Sequence, residues 1–233
     1  SLISAVSAAK PKIADYPFTT LVPNLGVISI EAHRSFVMAD IPGLIAGAAA
    51  GAGLGIRFLK HLTRTRVLLH VVDVGSFKHG IGEDPVLAIK QLADELEQFS
   101  PTLAQRPRWL VLNKVDLLEG GAEDNEVERI IESIQHTQPV HVISTVNKTG
   151  LSQLTQQLMQ TLENYWEAEA QDDELRKAEI QLQKKMQAEG RQRIEELAAE
   201  NRAKRAAAKN TSQHNDSDDD DNWDDVEVEH VRD

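Results

Sequence analysis

Two apolar runs in this chain end on short polar signatures, and their order limits the folds that can accommodate them. Ser35 to Asp40 runs into Asp40-Ile41-Pro42-Gly43, and Trp109 to Asn113 runs into Asn113-Lys114-Val115-Asp116. The two starts lie 73 positions apart (113 − 40), which leaves room for one intervening strand and two helices. Around them, short Val-, Ile- and Leu-rich runs alternate with helical periodicity, the signature of a parallel α/β sheet.

Read element by element, Leu2 to Ala9 is helical and stops at Pro11. Leu25 to Glu31 and Ser35 to Asp40 form a strand pair with a turn around Ala32-His33-Arg34. Gly55 to Thr63 is helical, and Val67 to Asp73 is a continuous apolar run suited to a strand buried on both faces. Glu83 to Phe99 is an amphipathic helix, Trp109 to Asn113 a strand, Glu123 to Gln135 a helix and Val140 to Ser144 a strand. A helix from Gly150 to Tyr165 closes the domain. These readings give a domain over residues 1–165, a charged helical extension over 166–209 and a disordered acidic tail over 210–233.

The extension is built of Ala, Glu, Gln, Lys and Arg, and its few larger aliphatics keep no heptad. A solvated helix broken near Gly190 is therefore expected in place of a coiled coil. Ten acidic residues between Asp216 and Asp233 carry much of the net charge of −12. That balance weighs against nonspecific nucleic-acid binding, although the folded part is close to neutral. The tail is read first as a solvating charge run, and second as an RNA mimic or a seat for basic proteins. The absence of cysteine excludes disulfides and thiolate metal sites and fits a reducing compartment without fixing which one. No apolar run reaches membrane-spanning length.

An Asp carboxylate at a strand end accepts both the N1 and exocyclic N2 hydrogens of guanine, a donor pair that adenine lacks. Asp116 has that role here; Asn113 bonds the base edge and ties neighbouring loops, and the Lys114 stem packs along the base plane. Ser144-Thr145-Val146 follows the last strand and buttresses the base from behind. At the other strand end, Asp40 suits a water bound to Mg²⁺, and Gly43 offers its N–H to a γ-phosphate. Ile41 and Pro42 carry the chain between them. Gly47, Gly51, Gly53 and Gly55 permit a loop that reorders with nucleotide state. In Phe18-Thr19-Thr20, Thr20 is the first choice for direct Mg²⁺ coordination and Thr19 the alternative. Each signature taken alone also suits an ordinary loop.

The run from Ala8 to Leu21, through Asp15-Tyr16-Pro17-Phe18-Thr19-Thr20, resembles switch I of the bacterial Obg (CgtA) GTPases. So does Asp40-Ile41-Pro42-Gly43-Leu44-Ile45, continuing to Gly53-Leu54-Gly55-Ile56-Arg57-Phe58-Leu59. The resemblance covers residues 1 to about 165. It implies a P-loop GTPase-type, mostly parallel sheet flanked by helices, binding GTP and GDP with Mg²⁺ and hydrolysing GTP slowly. It further implies a monomer acting with the large ribosomal subunit, its rRNA and ribosomal proteins, in late assembly and in growth and stress control, including (p)ppGpp. Leu44 stands where many GTPases place a water-orienting glutamine, so no catalytic side chain is assigned. Thr145 stands where the family usually has alanine.

No G-x-x-x-x-G-K-[ST] loop occurs in the 233 residues. The resemblance implies that an Obg protein carries a glycine-rich domain, one strand and that loop ahead of the position of Ser1. The strand is central in the family, between those ending at Asp40 and Asp73. Its absence leaves a gap of roughly 9.6 Å unless the two strands shift to pair. Two functions follow as expectations: a GTPase whose activity this stretch does not itself sustain, or a nucleotide-independent ribosome- or protein-binding piece.

Overall fold

The computed structural model describes residues 2–7, 24–41, 61–134 and 136–215, the last with side chains to residue 203. Helix α1 is Leu2–Val6, and strands β1 (Asn24–Glu31) and β2 (Arg34–Asp40) form an antiparallel hairpin. His33 turns the hairpin at φ 67°, a left-handed position that histidine tolerates better than most side chains. Strands β3 (Leu68–Asp73), β4 (Arg108–Asn113) and β5 (Val140–Val142) form a parallel sheet in the order β3-β4-β5. Between β3 and β4 lie α2 (Gly75–Lys78), α3 (Pro85–Phe99) and α4 (Pro101–Ala104); α5 (Asn125–Ser133) joins β4 to β5. Helices α6 (Leu151–Gln171) and α7 (Asp173–Asn215) complete the order. The chain divides into two compact units, residues 1–194 and 195–233.

Local chemistry sets the helix starts. Asp84 caps α3 by accepting from Val86 N at 2.8 Å, with Pro85 in the first turn where its missing N–H costs nothing. Ser100 ends α3 and begins α4, its Oγ accepting from Leu103 N at 3.0 Å. Asp124 caps α5 through Glu126 N at 2.9 Å while Lys78 donates to both of its oxygens. That lysine, with the backbone donors, holds the Asp124 carboxyl down to about 2.

The two faces of the parallel sheet bury different rows. Val72, Leu110 and Leu112 pack with Ile89 of α3 and Val127 and Ile130 of α5. Trp109 and Val111 face the other way, onto Leu151, Leu154 and Leu158, whose spacing lines one side of α6. Ile28 and Phe36 of the hairpin join this second core, so α6 carries both sheets. Fully burying each such side chain stabilises by about 1.5–3 kcal/mol.

Three expectations are corrected. Strand β3 is not buried on both faces: Leu68 and Val72 are buried, but Val71 is 44% exposed. The reason is position, because β3 pairs only with β4 among the described residues and so forms an edge. Neither do the strands ending at Asp40 and Asp73 shift to pair; they stay in separate sheets and meet through the α6 core. Finally, the charged extension is not a solvated helix interrupted at Gly190. Helix α7 continues through that residue, where a Cβ would fall 2.5 Å from the Phe99 ring, and Met186 is fully buried. The glycine marks a close approach, not a break. Of the expected helix at Gly55 to Thr63, residues 55–60 lie outside those described, and His61 and Leu62 are helical.

Candidate functional site

Parallel pairing brings the ends of β3 and β4 level, with Asp73 opposite Asn113. Beyond Asn113 the chain turns at Lys114, whose φ of 66° is left-handed, into the 3₁₀ turn Val115–Leu117. Such a backbone in a non-glycine residue costs energy and persists where the surroundings determine it. Here Val115 N donates to Ile143 O at 3.4 Å and Val74 N to Asn113 O at 3.1 Å, tying the turn to both neighbouring strand ends.

These ties bring together residues that the sequence marks as candidates for reading a base. Ser144, 1% exposed, donates from Oγ to Asp116 Oδ1 at 2.5 Å and accepts from Asn147 N at 3.0 Å. Asn113 Oδ1 accepts from Thr145 N at 3.3 Å. One hydroxyl and one amide oxygen therefore lock the β4 and β5 loops to each other. Among the described residues no cation pairs with Asp116, and Ser144 engages only one of its two oxygens, which leaves an acceptor in the turn after β4. Val146, 75% exposed, stands on the outer turn. Gly150 closes that turn at φ 71°, where a Cβ would sit 2.5 Å from Val142 O.

The Lys114 side chain is 45% exposed, yet its ammonium is held by the protein. Its Nζ lies 2.6 Å from Asp73 Oδ2 and donates to Ser76 Oγ at 3.2 Å. Ser76 in turn donates from N to Asp73 Oδ1 at 3.0 Å and from Oγ to Oδ2 at 2.7 Å. Burial pushes the Asp73 carboxyl up, but the bonds from Lys114 and Ser76 outweigh it and hold the group below its ordinary value. Sequence reasoning passed over Asp73 and Ser76. The signal was present in a second apolar run that also ends on a polar side chain, Val71-Val72-Asp73.

The structure gathers Asn113, Lys114, Asp116, Ser144 and Thr145. It leaves Asp40 and Ile41 on the hairpin, with no hydrogen bond from Asp40 to that group among the described residues. Phe18, Thr19, Thr20, Pro42, Gly43 and Leu44 lie outside the described residues. Asp40 is a half-buried carboxylate at a strand end with no protein cation on it among the described residues, a donor of the kind that suits Mg²⁺ through water. No group of three or more His, Asp or Glu able to hold a metal occurs among the described residues, and no helix there is long and apolar enough to cross a membrane.

A parallel sheet flanked by helices, with Asn113, Asp116 and Ser144 joined in the loops at the ends of β4 and β5, defines an α/β domain. Residues 1–114 match the family model described as 50S ribosome-binding GTPase. Among solved structures, an Era variant of Aquifex aeolicus bound to GDP and aluminium fluoride is 19% identical with a TM-score of 0.48, over 68% of this chain and 51% of that one. A Plasmodium falciparum protein described as nucleolar GTP-binding protein 1 is 16% identical, TM-score 0.47, over 76% and 88%. The cytosolic domain of the T. maritima FeoB iron transporter is 14% identical, TM-score 0.45, over 84% and 92%. The chain spans about half the length of the Era chain it matches.

Proposed function

We propose that this chain carries the guanine-reading part of an Obg-type GTPase that acts with the large ribosomal subunit in the cytoplasm. The observation that carries the reading is the locked pair of loops, in which Ser144 holds one oxygen of Asp116 and leaves an acceptor for the base. A carboxylate so placed takes the N1 and N2 hydrogens of guanine, and adenine offers no such pair. The family description supplies the 50S subunit as partner, and the switch wording Asp40-Ile41-Pro42-Gly43-Leu44 supplies the Obg kind.

When bound, Mg²⁺ neutralises charge developing on the phosphates. Asp40 would hold it through water and Thr20 directly, while Phe18 and Thr19, with Ile41, Pro42 and Gly43, would follow the γ-phosphate. Leu44 cannot orient water by hydrogen bonding, so turnover in such a protein is slow. GTP, GDP and ppGpp share the guanine edge, and all three fall within the reach of this reading.

The test is a ¹H–¹⁵N NMR titration of the 233-residue chain with guanosine and with adenosine at millimolar concentration. Guanosine should shift the amides of Asn113 to Leu117 and Ser144 to Asn147, and Asp116→Ala should abolish those shifts. Equal responses to both nucleosides would overturn the reading.

A further inference from the structure

The Asp73–Ser76 loop lies directly beneath the Asn113–Lys114 turn. A Cβ on Gly75 would fall 2.3 Å from Lys114 O, so the two loops touch backbone to backbone with no side chain between them. From this loop Asp73 reaches Lys114 with one oxygen, while its other oxygen is held by Ser76 N. Ser76 Oγ bonds both the carboxylate and the ammonium. Lys114 is thus fixed at both ends: its left-handed backbone sets the direction of Cβ, and the Asp73–Ser76 pair holds Nζ.

An exposed lysine normally samples many rotamers, and ordering such a chain on binding costs affinity. We propose that Asp73, with Ser76, is a positioning residue that pins the Lys114 stem in place before the base arrives, so that this ordering cost falls on folding instead of on binding. The inference rests on the guanine reading above. Asp73 makes no contact with the base in this account and acts only through Lys114. Its contribution is therefore to the face of the base, and the edge selection by Asp116 is separate from it.

That separation gives the test. Inosine lacks the exocyclic amine of guanosine but keeps the same ring face. In the 233-residue chain, Asp73→Asn should weaken guanosine and inosine by the same factor, roughly threefold to tenfold, leaving their ratio unchanged. Asp73→Glu should restore part of the loss, and Asp73→Asn should have no further effect in a Lys114→Ala background. Independently of any ligand, ¹³C relaxation at Lys114 Cε should report an ordered methylene in the wild type and a mobile one in Asp73→Asn. Unchanged nucleoside affinities in Asp73→Asn, or unchanged Lys114 order, would overturn the positioning role while the guanine reading stands. A changed guanosine-to-inosine ratio would also overturn it, because Asp73 would then act on the loop that carries Asp116. A wild-type chain with an ordered Lys114 that distinguishes no base would overturn the guanine reading, and the role of Asp73 with it.

Discussion

Arg106, at the end of the α4 turn, and Glu179, on α7, form a two-pronged ion pair across 73 positions of sequence, with both side chains largely buried. Arg66 joins from the start of β3, bonding Glu169 at 2.6 and 2.9 Å and approaching Glu179 at 3.3 Å. Burial pushes the Glu179 carboxyl up, yet the bonds from Arg106 and Gln183 outweigh it and hold the group below its ordinary value. Removing one partner of such a pair strands the other. Glu179→Ala should therefore cost about 3 kcal/mol, read as a fall in the denaturant midpoint. Replacing both residues with methionine should recover most of that loss.

Glu189, one turn of α7 beyond Lys185, accepts from Ser100 Oγ, Thr102 N and Thr102 Oγ1 and so holds the start of α4. The adjacent Gly190 lies against the Phe99 ring. Alanine there gains about 1 kcal/mol of helix propensity, but its Cβ would enter a ring that is only 2% exposed and cannot easily yield. Gly190→Ala should destabilise on balance by about 1–2 kcal/mol, seen as a lower Tm. An unchanged or raised Tm would show that the arm does not pack there in solution.

Histidine 70 supplies a pH dependence. Burial above all, then the nearby charges of Arg108 and His136, lower its pKa from 6.5 to about 4. His136 is lowered in the same direction, chiefly by burial. Because the folded value lies below the unfolded one, the unfolded chain binds more protons under pH 6.5. Stability should then fall as the pH drops from 6.5 toward 4, by up to about 3 kcal/mol from His70. Denaturation midpoints measured across that window should decline, and His70→Leu should flatten the decline.

On the proposed guanine reading, Asp116→Asn exchanges one acceptor for a donor. Xanthosine, with a carbonyl in place of the guanine amine, matches that exchange. The variant should lose guanosine affinity by about tenfold to a hundredfold, as expected for charge-assisted bonds, and gain xanthosine binding. Competitive NMR titration with the two nucleosides checks it.

The 233 residues contain no Walker-type phosphate loop, and that loop supplies most backbone donors to the phosphates. The polypeptide tested alone should show no GTP turnover above buffer in a phosphate-release assay. Ordinary turnover would mean that other residues cradle the phosphates.

Much was legible beforehand where the signal is local. The strand ending at Asn113, the strand pair around His33 and the start of the closing helix after Gly150 follow from periodicity and turn chemistry, and the structure has them within a residue, although that helix runs on past Tyr165 to Gln171. Boundaries moved where caps decide them, as at Asp84 and Asp124, whose side chains start their helices two positions later than the pattern suggested. That Asn113, Lys114, Asp116, Ser144 and Thr145 come together was legible because they cluster in two short stretches. Asp73 and Ser76 were not, since their partner Lys114 lies 38 positions or more away in sequence and only parallel pairing brings the strand ends level.

Gly190 shows where sequence reasoning reaches its limit. The sequence by itself determined a parallel α/β domain, the identity of the groups at its strand ends and the charge of the arm, because these depend on periodicity and side-chain chemistry alone. Only the tertiary structure decided that β3 pairs with β4 alone among the described residues, that the arm packs on Phe99 and Arg106, and that Lys114 is held by Asp73. Each of those depends on which distant surfaces meet, and a local pattern of polar and apolar residues is compatible with more than one such meeting.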